Sequence, residues 1–312
     1  MVIVATGDTT PVPWTKAEIA RIDELLAGKL GLQAKDIEIR KLVVNPASQK
    51  AYVALQSLTT KANLILVVDG TGNISEFPLD NIRYKSYSLK TPKAAITKIT
   101  DIAWAGGKIV AATQATDVFG SRVFTIDPTD KSGPPLQVST RTYHVGHGKW
   151  ETQAPLRTLM PLVEGGKTSV VGSFTCTPIV RYDLADAKDD DQISGRSVLE
   201  LGTGNTPRSM FSYERGGKSF ILVNVGRFNK KPAFDFPSAY WVARVDAGLL
   251  NETTNINESA PWRVGGKIPA GDRVEVAREY FGVQAMDRLD ATRALAVVES
   301  SEGFNLRALP LP

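Results

Sequence analysis

The feature that most constrains this chain is a unit of strands that recurs five times. In each copy an apolar strand ends in a tight turn, a cationic residue leads a second strand, and a third strand follows. The turns hold Asn-Pro, Gly-Gly or Asp, which are typical of β-hairpins. The leading residues are about 50 to 75 positions apart, which suits a four-stranded unit with long loops. They are Lys50, Lys108, Lys167, Lys218 and Arg293.

A fourth, more polar strand follows several copies of the unit, as in ISEFPL, LQVSTRTYHV and SVLELG. A lone four-stranded sheet cannot bury both of its faces, whereas sheets stacked radially bury them against each other. The repeat therefore predicts an all-β fold, a β-propeller of five to six four-stranded blades that forms a single domain over residues 1–312. A pair of β-sandwiches is the alternative.

The first strand, from Met1 to Thr6, resembles the third strand of a unit (compare MVIVATGD with NLILVVDG). Two interpretations follow. Either five blades are closed by this strand, which would pair with the last blade, or the chain is a six-bladed propeller whose first blade is incomplete.

One helix is predicted, over residues 16–30, packed on the outside of the propeller. Thr15 and Glu18 have the spacing of a capping box, and Gly31 follows as a stop signal. The apolar residues of the segment fall on one face at helical spacing. They are Ile19, Ile22, Leu26 and Leu30.

Composition excludes several classes of protein. No run of the chain approaches the roughly 18 apolar residues of a membrane-spanning helix. The formal charge is +4 and the basic residues are scattered among acidic ones, so nucleic acid is not the expected partner. A single cysteine forms no internal disulfide. Residues 1–14 lack the features of a signal peptide, so the chain is either cytoplasmic or lacks its original start.

The stretch YHVGHGKWETQAP holds both histidines of the chain, and the only cysteine follows in SFTCTP. His144, His147 and Glu151 fall in a blade-to-blade connection, and Cys176 lies between the second and third strands of the next blade. Both kinds of loop lie on the same face of a propeller. Imidazole, carboxylate and thiolate are ligands of transition metals, so these four residues are the candidate metal site.

A structural interpretation of the same residues stays open. His144 would end a strand, His147 would cap a tight turn between two glycines, and Glu151 would pair with Arg157. Cys176 would be a buried, unreactive thiol. The metal interpretation predicts a divalent transition metal as cofactor; catalytic residues are not assigned.

Other polar residues are expected at the channel face. Arg157 and Arg208 open first strands, where side chains line the channel, and several arginines there would favour an anionic small molecule or an acidic peptide. The alternative is that these groups only bond loop backbone. Residues predicted to follow second strands on this face are Gln56, Gln114, Asn224 and Arg227. Two insertions, 226–239 and 251–271, lengthen the fourth unit, and Trp262 is predicted to plug the second.

Four motifs carry a resemblance to a known group: YHVGHGKWETQAPLRTLMP, SFTCTPIVRYDL, LGTGNTPRSM and the terminal MDRLDATRALAVVESSEGFNLRALPLP. They resemble a group of uncharacterised secreted bacterial β-propeller proteins, distantly related to YVTN and NHL repeat propellers. The resemblance implies a periplasmic or extracellular setting and a full blade preceding the first strand. It implies no activity.

Two functions are therefore predicted from the sequence. The first is an extracytoplasmic propeller that binds a small ligand or a protein partner at its channel face without catalysis. The second is a metal-dependent enzyme, a hydrolase or an oxidoreductase, with its site at His144, His147 and Glu151.

Overall fold

The computed structural model describes residues 1–130, 134–260 and 273–312. Five antiparallel sheets are arranged as a five-bladed β-propeller, and a single α-helix lies beside them. The predicted propeller is confirmed, with five blades, and the sandwich alternative is excluded. No helix among the described residues is long and apolar enough to cross a membrane.

Each blade runs along the chain from its innermost strand to its outermost. Blade 1 has Ile37–Val44, Ala51–Ser57, Asn63–Val68 and Ile74–Glu76. Blade 2 has Ile96–Ala105, Lys108–Ala115, Ser121–Ile126 and Leu136–His144, and blade 3 has Thr158–Glu164, Lys167–Ser173, Pro178–Asp183 and Arg196–Glu200. Blade 4 has Asn205–Arg215, Lys218–Arg227, Tyr240–Asp246 and Val274–Val276. Blade 5 has Val283–Arg288, Arg293–Ser300 and Gly303–Pro310.

Blade 2 is widened by two short strands that both pair with its fourth strand. Lys149–Glu151 pairs antiparallel with the end of Leu136–His144. Asp191–Ser194, which comes from the loop between the third and fourth strands of blade 3, pairs with it in parallel. The second of these strands therefore joins the outer edges of blades 2 and 3.

The fourth strand of blade 5 comes from the other end of the chain. It is Glu18–Ile19, which pairs with Arg307 and Leu306. The prediction that the strand from Met1 to Thr6 closes the ring is therefore wrong. The first strand, Val2–Val4, pairs instead with Tyr84–Ser86 in the connection between blades 1 and 2.

The helix is confirmed, but it spans Ile22–Lys29 and begins six residues later than predicted. The preceding residues are extended, because Glu18 and Ile19 satisfy their backbone groups in blade 5. Thr15 forms no capping box, since its hydroxyl donates to the Gly70 carbonyl at 3.0 Å. Ile22 and Leu26 are fully buried in an apolar cluster with blades 1 and 5.

Four apolar clusters join successive blades: 2 to 3, 3 to 4, 4 to 5, and 5 to 1. Between blades 1 and 2 the described residues form no such cluster, and the inner strands are linked by the ion pair of Lys41 with Asp101 at 2.8 Å. On the inner strand of blade 2, Ile99, Ile102 and Trp104 are 40%, 46% and 62% exposed. The ring is therefore held by apolar packing at four junctions and by charge at the fifth.

Candidate functional site

A cavity of about 300 Å³ lies on the axis of the propeller. Its wall comes from the inner strands of blades 1, 2, 4 and 5 and from the residue that immediately precedes the inner strand of blade 3. These wall residues lie mostly in the first halves of the strands, at the face where blade-to-blade connections enter. The lining comprises Glu38, Arg40, Lys41, Leu42, Lys98, Ile99, Thr100, Arg157, Thr206, Pro207, Arg208, Ser209, Gln284, Ala285 and Met286.

The lining is strongly basic, with five cations and Glu38 as its only carboxylate. Two of the cations are neutralised locally. Arg40 donates to Glu38 at 2.9 Å, and Lys41 is paired with Asp101. Low-dielectric walls around a cavity strengthen the field of the charges that remain.

Three cations on three different blades remain without a carboxylate partner among the described residues. They are Lys98 of blade 2, Arg157 at the start of blade 3 and Arg208 of blade 4. Arg208 is held in place, because its Nε donates to the Gln284 carbonyl at 2.7 Å and its guanidinium lies 5.3 Å from the centre of the Tyr240 ring. Its terminal nitrogens have no hydrogen-bond partner within the described ranges.

Two hydroxyl groups of the cavity wall are also unpartnered. Ser209 is only 6% exposed and its Oγ has no hydrogen-bond partner in the described protein, and the same holds for Oγ1 of Thr100. A buried hydroxyl without a partner costs about 1–3 kcal/mol. Both oxygen atoms are buried from solvent, so they lie in the wall and are not presented to a molecule in the cavity.

Some of the predicted ligand-binding residues line the channel, and the others bond to neighbouring residues within the blades. Arg157 and Arg208 line the cavity, as predicted. Gln56 lies behind the wall and accepts from Arg40 at 2.6 Å. Gln114 is buried in blade 2 and donates to the Ala115 carbonyl, while Arg227 donates to Pro232 of its own insertion.

Sequence reasoning missed Arg40, Lys41 and Lys98 as channel residues. A signal for them exists: Arg40 and Lys98 occupy the first half of an inner strand, the same part of the repeat as Arg208, and Lys41 lies at the middle of its strand. Asn224, predicted to follow a second strand, lies buried within the second strand of blade 4, and its side chain donates to the Val283 carbonyl of blade 5 at 2.6 Å.

The histidines and Glu151 meet at a hairpin on the outer rim. His144 ends the fourth strand of blade 2, Val145–His147 forms a 3₁₀ turn, and Gly148 closes it with a φ of 63°. Glu151 follows on the short return strand. Its Oε1 lies 2.9 Å from Nδ1 of His144 and 3.2 Å from Nδ1 of His147. One ligand atom from each of the three residues lies within 4.8 Å of the others.

A fourth residue, Glu200, organises this turn from the neighbouring blade. Its carboxylate accepts hydrogen bonds from the backbone of Val145 at 2.7 Å and of Gly146 at 2.9 Å. Its Oε2 lies 3.6 Å from Nε2 of His144. Glu200 ends the fourth strand of blade 3, as His144 ends that of blade 2, so aligning the repeats would have brought the two together.

Burial raises the pKa of Glu151, but hydrogen bonds with His144 and His147 outweigh it and hold that pKa below its ordinary value. The carboxylate therefore stays ionised between two imidazoles. It does not pair with Arg157, which lines the channel instead. The predicted pairing of Glu151 with Arg157 is therefore wrong, and the partners of Glu151 are His144 and His147.

The two sites share a face of the propeller but not a position. Loops between second and third strands, where Cys176 lies, and blade-to-blade connections are on the same side. The histidine hairpin, however, lies at the end of an outermost strand, and none of its three residues lines the channel. Cys176 is half-buried, is held by a hydrogen bond from its backbone to Asn205, and is not in the group of converging ligand atoms.

The insertion 226–239 folds back on its own blade. Phe236 stacks on Phe281 at 3.7 Å, and Phe234 packs edge-on against Trp241. The insertion therefore covers one end of blade 4. Trp262 lies outside the described residues.

A second depression, of about 570 Å³, lies between blades 2 and 3 on the opposite face. Lysines and aspartates both line it, including Lys108, Lys167, Asp127 and Asp186. This mixed lining favours no sign of charge. The axial cavity therefore has the more selective chemistry.

Comparison with known proteins does not assign this chain to a family. No family model matches the chain, and no curated protein matches it. Function must therefore be argued from the two sites themselves.

Proposed function

We propose that this propeller binds a small anionic molecule in its axial cavity. The observation that supports the proposal is the convergence on one cavity of Lys98, Arg157 and Arg208, three cations from three blades that have no carboxylate partner in the described part of the chain. Structural arginines are normally paired, whereas a guanidinium with free terminal nitrogens is a ready donor to carboxylate or phosphate.

The cavity also limits the size and shape of the ligand. About 300 Å³ is at the lower end of the range for small-molecule pockets. Because the three cations come from separate blades, the best complement is a compact molecule with two or three carboxylate or phosphate groups.

The proposal is one of binding and assigns no reaction. An extracytoplasmic location, which the sequence resemblance implies, is part of it. In such a setting the propeller would sequester or sense an anionic metabolite.

Isothermal titration with citrate and with a sugar bisphosphate tests the proposal. We expect saturable binding of at least one of them, weakened by added salt because screening reduces the attraction. Arg157→Ala and Arg208→Ala should each weaken binding about 10- to 100-fold, as expected for the loss of a charged hydrogen bond.

Arg227→Ala is the matched control, since it removes an arginine that binds its own insertion. It should leave the affinity unchanged. The proposal fails if neither anion binds, if an uncharged citrate ester binds equally well, or if only an acidic polypeptide binds.

A further inference from the structure

We propose that His144, His147 and Glu151 form a Zn²⁺ site on the outer rim, with Glu200 as the residue that positions His144. This site is separate from the axial cavity and does not depend on the anion-binding proposal. It rests on the side-chain geometry of one hairpin and on a carboxylate from the next blade.

The donor atoms are already close to the spacing that zinc requires. With bonds of 2.0–2.1 Å and tetrahedral geometry, neighbouring donors lie about 3.3 Å apart. The Oε1 of Glu151 is 2.9 Å and 3.2 Å from the two Nδ1 atoms. The two rings overlap at a tilt of 38°, with their centres 3.7 Å apart. Small rotations of the side chains would therefore place an ion between all three.

Glu200 supplies the support that metal-binding histidines normally have. A ligating imidazole usually directs its other nitrogen at a carboxylate, which fixes the tautomer. Nε2 of His144 faces Oε2 of Glu200 at 3.6 Å, which is beyond hydrogen-bond length. A small shift of the ring toward Glu200 on metal binding would let Nε2 donate to this carboxylate and leave Nδ1 for the ion. Glu200 is 4% exposed and also anchors the backbone of the turn.

The site is anchored on one side and open on the other. The side chain of His144 is 3% exposed, whereas those of Glu151 and His147 are 18% and 36% exposed. An ion can enter from the rim, and a water molecule can complete its coordination. Three protein ligands with one open position are the pattern of reactive zinc sites.

The donor set selects the class of metal. Two imidazoles and one carboxylate suit zinc and its neighbours in the transition series, whereas Mg²⁺ and Ca²⁺ prefer all-oxygen sites. We therefore expect Zn²⁺ and Co²⁺ to bind and Mg²⁺ and Ca²⁺ not to compete.

Titration of the chelator-treated full chain with Zn²⁺, and with Co²⁺ as a spectroscopic probe, tests the assignment. One equivalent should bind, and the Co²⁺ complex should show the intense visible bands of a four-coordinate site without a thiolate charge-transfer band. Absence of stoichiometric binding, or a thiolate band, overturns it.

Variants then locate the ion. His147→Ala and Glu151→Gln should abolish stoichiometric binding, whereas Cys176→Ser should retain it as the matched control. Glu200→Gln should weaken affinity about 10- to 100-fold while the Co²⁺ spectrum stays the same, which a merely unfolded hairpin would not allow. Binding that survives His147→Ala, or that Cys176→Ser removes, refutes the assignment.

Discussion

Single side chains reach from one blade to the backbone of the next and tie the inner strands into a ring. Asp101 of blade 2 accepts from the Leu159 amide at 3.0 Å, and Asp287 of blade 5 accepts from the Val44 amide at 2.7 Å. Arg208 makes the equivalent bond from blade 4 to blade 5. Because hydrogen bonds to charged groups are stronger than neutral ones, these contacts fix the cavity wall.

Asp8 plays a similar role for the N-terminal segment. Its carboxylate accepts from Lys50 at 2.8 Å, from Ser48 at 2.8 Å and from Tyr52 at 2.9 Å. Burial raises the pKa of Asp8, but these hydrogen bonds outweigh it and lower that pKa below its ordinary value. The folded protein therefore favours the ionised form.

We expect Asp8→Asn to destabilise the protein by about 1–3 kcal/mol at pH 7. A depressed folded-state pKa contributes stability that is present above the unfolded pKa of about 3.9 and is lost as pH falls through the folded value. The difference between wild type and variant should therefore shrink as pH falls below about 4. Urea unfolding at a series of pH values measures both effects.

Asp80→Asn is the control, because Asp80 is exposed and has no side-chain partner among the described residues. It should change stability little at any pH. A pH-independent difference between wild type and Asp8→Asn would contradict the role of the Asp8 charge.

The residue-level predictions from sequence were most accurate where the contacts are local. His144, His147 and Glu151 are within eight positions, so one hairpin brings them together. Glu200 is about fifty positions away and meets His144 only through the packing of two outer strands. Arg40, Lys41 and Lys98 were missed for a different reason: which inner-strand residues face the axis depends on bulges, such as that between Ile39 and Lys41.

At the level of elements, three of the inner hairpins were predictable because their turns consist of two consecutive glycines. Three inner hairpins turn on Gly-Gly pairs in which both residues have positive φ, for example 54° and 79° at Gly106 and Gly107. Two such residues in succession define a type I′ turn, and L-residues with side chains adopt it poorly. The second strands accordingly begin at the predicted Lys108, Lys167, Lys218 and Arg293.

The closing strand could not be predicted in this way. It has only two residues, and Ile19 also falls on the helical face with Ile22 and Leu26. Its partners, Leu306 and Arg307, are at the far end of the chain. The local periodicity therefore favoured a longer helix, whereas the pairing with the distant strand makes Glu18–Ile19 extended and delays the start of the helix to Ile22.

Two truncations distinguish the closing strand from the first strand. Deletion of residues 2–7 should lower stability by no more than about 1 kcal/mol, because Val2–Val4 has no apolar cluster beneath it. Deletion of residues 2–20 should cost at least about 3 kcal/mol, since it removes the buried Trp14 and exposes an edge of blade 5. Urea unfolding of the two proteins provides the comparison.

Both proteins lose the strand Val2–Val4, whereas only the longer deletion also loses Asp8, Trp14 and the closing strand Glu18–Ile19. A loss well beyond that of Asp8→Asn is therefore the part due to Trp14 and the closing strand. Equal losses of stability would mean that the first strand closes the ring. Equal retention of stability would mean that blade 5 needs no fourth strand.

At the level of the whole molecule, the ring has one weak junction. Apolar clusters join four pairs of neighbouring blades, whereas blades 1 and 2 meet, within the described ranges, through Lys41 and Asp101. Exposed pairs and partly exposed pairs contribute less than buried apolar area. The propeller should therefore open first at this junction.

The axial cavity lies beside the same junction, so ligand binding should stabilise the inner strand of blade 2 against opening there. Lys98 is on the inner strand of blade 2, and Arg157 and Arg208 are on the following blades. A multivalent anion held by all three would tie that strand to the rest of the ring. Binding to the closed form alone stabilises it by about 2.7 kcal/mol at a hundredfold excess over Kd.

Hydrogen exchange measures this coupling directly. Without ligand, amides of Ile96–Ala105 should exchange through openings of lower free energy than those of Thr158–Glu164, whose first three residues are buried. Citrate at saturation should raise protection of Ile96–Ala105 more than that of Thr158–Glu164, and Arg208→Ala should reduce the gain. Equal protection of the two strands without ligand would contradict the weak junction, and a uniform gain would show that the anion does not act there.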